Sequence, residues 1–241
     1  MSGPCLLYTS KEGFADYIHK LENVVGRKFA CANCVVNALD ERLQFFVEMG
    51  CRASDHGLDY IPYVDTNAEK ATAAFKKAMA GEPLTQEEGD EYTTYVLLAL
   101  GRLYKKYNVA MQLHYSCLRN VNEKMYRKLG PDTGYDMIAV TDCSATISSL
   151  LSKLTETDEC PKVILYSLNP ADFDMLGTLM GPFQDDEIPG KIQLGSAWWF
   201  CCLLYTSHCY RYGQQRRHHR FQRHQTGAGR QGPGRLQRGR H

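Results

Sequence analysis

Short apolar runs set between helical stretches constrain this chain more than any other feature. VAMQLH (Val109–His114), KVILYSL (Lys162–Leu168) and KIQLGS (Lys191–Ser196) each read as a buried strand, and a shorter strand-like MIAV lies between the first two. Val36, Leu39, Leu43, Phe46 and Val47 recur at helical spacing and stop at Gly50. An Ala-rich helix is expected over Asn67–Ala80. Thr85 and Glu88 form a capping box for another helix to about Lys106, with Tyr92, Tyr95, Val96, Ala99 and Leu103 on one face. Further helices are expected around Glu123–Leu129, over Ser144–Leu154 and over Asp172–Met180. Asn169 caps the last of these, and Pro170 fits its first turn. Apolar strands alternating with helices imply parallel βαβ units, hence an α/β fold. A doubly wound sheet and a (β/α) barrel both satisfy that pattern.

The two ends of the chain read differently. The hexapeptide CLLYTS occurs at Cys5–Ser10 and again at Cys202–Ser207, with unrelated flanks and no periodic apolar pattern around either copy. A stacking repeat would recur at a steady period. The DNA TGT CTC TTA TAC ACA TCT, a transposon-end sequencing adapter, translates to CLLYTS and accounts for both copies. Residues 1–10 are therefore expected to be an adapter-derived leader. Residues 201–241 are expected to be adapter followed by an out-of-frame or disordered basic tail, which leaves 11–200 as the folded body. Nine of the 28 Lys and Arg are arginines within His208–His241, where there is no acidic residue, against 27 Asp and Glu in the whole chain. The body is thus net acidic, which argues against a nucleic-acid partner. The competing reading of the tail is a basic arm that recruits RNA.

No apolar run approaches the ~20 residues needed to cross a bilayer, and no basic segment leads into an apolar one at the N-terminus. Six of the ten Cys are scattered through the body, which suits reduced thiols in a cytoplasmic protein. Cys31-Ala-Asn-Cys34 matches C-x-x-C, but a structural zinc site would need a second pair.

In either α/β architecture, chemistry gathers past the carboxyl ends of the strands. Arg52, Asp55 and His56 follow Gly50; His114 ends VAMQLH, with Arg119 and Asn120 close behind; Trp198 and Trp199 follow KIQLGS. Asp55 beside His56 suits acid/base work, and an arginine can clamp a carboxylate through two hydrogen bonds. An aromatic face suits the C–H-rich side of a sugar. The bland counterparts are a satisfied structural histidine, a loop salt bridge and a core aromatic.

GCRASDHGLD, MQLHYSCLRNVNEKMYRKLGPDTGYD, KVILYSLNP and IPGKIQLGSAWWF resemble successive motifs of the uronate (glucuronate) isomerase family. The resemblance implies a (β/α)8 barrel akin to metal-dependent amidohydrolases, of which this chain would supply roughly strands four to seven. It also implies an aldose–ketose isomerase that interconverts D-glucuronate with D-fructuronate and D-galacturonate with D-tagaturonate. On that reading Asp55, His56 and His114 are the catalytic groups, and Arg52, Arg119, Asn120, Trp198 and Trp199 contact the uronate. The intact enzyme would hold a divalent metal, Zn or Mn, with His114 as a ligand, and would form a homo-oligomer. The family pattern also has a His-x-His pair on its first strand and an Asp on its eighth, and the body contains neither. The chain as written is therefore expected to be inactive. A metal-dependent hydrolase on the same barrel is the alternative enzymatic reading.

Overall fold

The computed structural model describes residue 9 and residues 13–131 and 133–195. The expected leader (residues 1–10, Thr9 excepted), Trp198, Trp199 and the expected adapter and basic tail (residues 201–241) lie outside the described residues.

Seven α-helices are described: α1 (Phe14–Val25), α2 (Ala32–Glu48), α3 (Ala68–Ala80), α4 (Gln86–Tyr107), α5 (Glu123–Leu129), α6 (Ser144–Thr155) and α7 (Phe173–Met180). The strands are β1 (Ala53–Gly57), β2 (Ala110–Tyr115), β3 (Cys117–Leu118), β4 (Met137–Ile138), β5 (Val163–Ser167) and β6 (Ile192–Leu194). β1, β2, β5 and β6 form one sheet in that order, and every pair in it is parallel. β3 and β4 make a separate antiparallel pair, so MIAV is not a strand of the main sheet.

Local chemistry sets most boundaries. Asn67 Oδ1 accepts hydrogen bonds from the Glu69 and Lys70 amides, and Gly81 closes α3 in the left-handed region at φ 72°. The capping box ahead of α4 is complete, with the Glu88 amide donating to Thr85 Oγ1 at 3.2 Å and the Thr85 amide to Glu88 Oε2 at 2.9 Å. Asn169 Oδ1 accepts from the Ala171 amide, but the turn it caps is a 3-10 segment, Pro170–Asp172, that leads into α7.

α4 departs from the single apolar face its sequence suggested. Tyr92, Thr94, Val96, Leu97, Leu100, Gly101 and Tyr104 are all buried, because the helix packs against α2, α3, α6 and the sheet together. Gly101 permits the approach of α6: a Cβ there would stand 2.8 Å from Leu154 Cδ1.

The sheet has two unlike faces. Met111, Leu113 and Tyr115 of β2 and Val163 and Leu165 of β5 are buried in the core. The residues between them, Gln112, His114, Ile164 and Tyr166, turn to the other face and are only partly covered.

Candidate functional site

The register of the sheet assembles a polar row on that second face. Gly57 pairs with His114 and His114 with Tyr166, while two residues back Asp55 pairs with Gln112 and Gln112 with Ile164. Asp55 and His114 therefore project from the same side of adjacent strands, and Asp55 Oδ1 lies 3.0 Å from His114 Nε2. The other side of the imidazole ring system is fixed by stacking: the Tyr166 ring lies 4.2 Å away, 6° from parallel. Tyr166 is itself held, its hydroxyl donating to Gln112 Oε1 at 2.8 Å.

Space for this arrangement is left by glycines. A Cβ on Gly195 would stand 2.1 Å from Tyr166 Cε1, so no larger residue fits beneath that ring. A Cβ on Gly57 would stand 3.6 Å from Arg119 Nη2, which places the guanidinium over the end of β1. Arg119 follows β3 and Asp136 precedes β4, and the pairing of those two short strands brings them together. Asp136 Oδ2 accepts from Arg119 Nη1 at 3.3 Å, and its other oxygen accepts from the Asn120 amide at 2.8 Å. Asn120 stands in the left-handed region at φ 55°, a conformation that asparagine tolerates better than most residues.

Burial pulls the His114 pKa down; the Asp55 carboxylate opposes that shift and the Arg119 charge adds to it. The imidazole is therefore neutral at neutral pH. In the tautomer that donates from Nε2 to Asp55, the lone pair sits on Nδ1.

The sequence-predicted residues divide clearly. Asp55, His114, Arg119 and Asn120 gather at one end of the sheet. His56 does not join them. Asp55 and His56 are expected from the sequence together past a strand end, whereas residues 53–57 are β1 itself, so alternation sends His56 to the opposite face from Asp55. There its Nε2 lies 2.8 Å from the Tyr104 hydroxyl of α4. Desolvation lowers its pKa to about 4, against the opposing pull of Asp55, and it stands as a neutral, partly buried histidine against α4.

Arg52 is also elsewhere. It precedes β1, at the amino end of the strand rather than past the carboxyl end, and its Nη1 donates to the carbonyls of Cys51 at 2.7 Å and Val47 at 3.4 Å. Tyr166, Gln112 and Asp136 were not singled out from the sequence. The alternation of VILYS and AMQLHY marks Tyr166 and Gln112 as facing with His114; nothing in the local sequence marks Asp136.

A divalent ion needs more donors than this arc provides. Asp55 and His114 stand together, but no group of three or more His, Cys, Asp or Glu suited to a metal occurs among the described residues. The described residues alone do not fit a metal, and no chemical step is assigned through one here.

A parallel α/β sheet that gathers a His–Asp pair, a stacked tyrosine and an arginine toward its strand ends has the layout of an α/β enzyme site. Residues 5–204 match the family model of glucuronate isomerase. The chain belongs to the glucuronate isomerase family. The uronate isomerase of Caldanaerobacter subterraneus subsp. tengcongensis is 45% identical over 194 residues, which span 80% of this chain and 42% of that protein. The crystal structure of uronate isomerase from Thermotoga maritima superposes with a TM-score of 0.71 at 29% identity, covering 81% of this chain and 42% of the other. Glucuronate isomerase from Caulobacter crescentus gives the same TM-score at 22% identity over 81% and 39% of the two chains, a likeness of fold. This chain thus spans well under half the length of the relatives it matches.

Proposed function

We propose that the chain carries one arc of a uronate isomerase active site, and that its four parallel strands correspond to strands four to seven of a (β/α)8 barrel. The observation that carries this reading is the Asp55–His114–Tyr166 row with Arg119 above it. Aldose–ketose isomerisation removes a proton beside a carbonyl and returns one to the neighbouring carbon, so it needs a base neutral at working pH and a handle for the substrate carboxylate. His114, held by Asp55 and Tyr166, is the proton-transfer group. Arg119, fixed by Asp136, is the carboxylate or hydroxyl contact, and Asn120 lines the same end. Trp198 and Trp199 remain candidates for the sugar face.

The remaining donors, including the metal ligands of the intact enzyme, belong to parts of the barrel outside this sequence, so the chain alone is inactive on this reading. The substrate is a free uronate rather than nucleic acid, in keeping with the acidic body. No helix among the described residues is long and apolar enough to cross a membrane; we place the protein in the cytoplasm. The intact enzyme is read as a homo-oligomer.

The test is a graft. Residues 13–195 replace the matching segment of the Caldanaerobacter subterraneus uronate isomerase, and D-glucuronate conversion to the ketose is followed. The graft should turn over and the 241-residue chain should not. A folded but inactive graft, or turnover by the chain alone, would overturn the reading.

A further inference from the structure

The C-x-x-C pair at the start of α2 takes no part in the site described above. Cys31 is the N-cap of α2, in extended conformation at φ −158°, and its carbonyl accepts from the Cys34 amide at 3.0 Å. The helix therefore folds Cys34 back over the cap, and the two Sγ atoms stand 2.8 Å apart. A covalent S–S bond is about 2.05 Å long, so closure brings the two sulfurs together by less than an ångström. Both residues are partly exposed. α2 packs against α1, α3 and α4 rather than on the polar face of the sheet.

We propose that Cys31 and Cys34 form a reversible intramolecular disulfide by exchange with small-molecule disulfides of the glutathione type, and that the native fold favours its formation. Cys34 is the attacking sulfur. It stands in the first turn of a long helix, whose aligned peptide dipoles favour a thiolate, and Arg27 lies within electrostatic reach of it. The Cys31 hydrogen bond, foremost, holds its pKa below the ordinary thiol value, and the same contact raises that of Cys31.

The exchange balances as two displacements. The Cys34 thiolate attacks one sulfur of oxidised glutathione, and the glutathione S–S bond breaks to release one glutathione thiolate. Cys31 loses its proton and attacks Cys34 Sγ, expelling the second glutathione thiolate. The cysteine pair gives up two electrons and two protons, and the two glutathione sulfurs take them up. No third His, Cys, Asp or Glu joins the pair in a metal-binding group among the described residues, which sets a redox role above a zinc site.

Trypsin supplies a clean readout, because Phe29–Arg42 (FACANCVVNALDER) contains both cysteines and no other. The 241-residue chain is equilibrated in glutathione buffers, native or urea-unfolded, then alkylated, digested and weighed by mass spectrometry. In the native sample this peptide should appear unalkylated and lighter by two hydrogens. Its disulfide-to-dithiol ratio should exceed that of the unfolded chain by about tenfold, and dithiothreitol should reverse it. In Cys31→Ser, Cys34 should keep glutathione as a mixed disulfide. Equal or lower disulfide in the native sample, or protection of both thiols only on adding zinc, would overturn the proposal.

Discussion

His114 and Tyr166 occupy paired positions on β2 and β5, and their rings lie face to face at 4.2 Å. The stack closes one side of the imidazole, and Asp55 fixes its Nε2 edge at 3.0 Å. A histidine held on two sides by its neighbours spends little of its freedom when substrate arrives. Replacing Tyr166 with Ala opens the ring to water, so the His114 pKa should rise toward its ordinary 6.5. A proton NMR titration of the imidazole checks this, and Tyr166→Phe should leave the value nearly unchanged.

Gly195 is where the tyrosine ring finds room. Gly195→Ala sets a methyl group into that ring, and overpacking of this kind costs about 1–3 kcal/mol. Urea unfolding should show the loss, and the His114 pKa should move as it does in Tyr166→Ala, because the same contact is displaced.

Leu154 is fully buried against Gly101 where α6 crosses α4. Leu154→Ala leaves a cavity there and should cost about 2–5 kcal/mol in urea unfolding. The His114 titration should not change, since the site lies on the other face of the sheet.

Two groups with lowered pKa values, His56 and Glu22, shape the acid limit. His56 has a folded pKa of about 4 against an ordinary 6.5, so its contribution to stability is complete above pH 6.5 and is lost as the pH falls toward 4. Burial pushes the Glu22 carboxyl up, but hydrogen bonds from Lys28, His19 and the Phe29 amide outweigh it and bring the pKa to about 2. That contribution is complete above 4.5 and is lost as the pH falls toward 2. Stability measured against pH should therefore decline in two stages. His56→Gln should shrink the upper stage and leave the lower one intact, the remainder of the upper stage coming from His114, which burial also holds below its ordinary value.

In the grafted enzyme, His114→Ala should lower turnover by about 10²–10⁴-fold, the range for losing a proton-transfer group. Arg119→Ala should chiefly raise KM. His56→Gln, on the opposite face, should alter stability more than turnover. Steady-state kinetics on D-glucuronate separates the three.

Most of the frame was legible because strands and helices here obey their periods and carry their own caps. The capping box at Thr85, the Asn67 cap and the VILYS run each follow from a few neighbouring residues. β1 was not legible, since ASDHG has one weakly apolar residue and is a strand only because β2 pairs with it. Missing β1 also hid which way its side chains point, and so Asp55 and His56 were read together when they face apart. Arg119 and Asn120 were readable as following a strand end. Their anchor Asp136 was not, because β3 and β4 bring it back through a turn that local pattern does not specify.

The strand order β1-β2-β5-β6 follows the order of synthesis, with every strand of the sheet docking on the strand of that sheet made just before it. A chain emerging from a ribosome can therefore add each βα unit to a finished edge without waiting for residues still to come. Such vectorial growth keeps loop-closure entropy low at each step. It also means that the His114–Tyr166 stack is completed as soon as β5 is laid down.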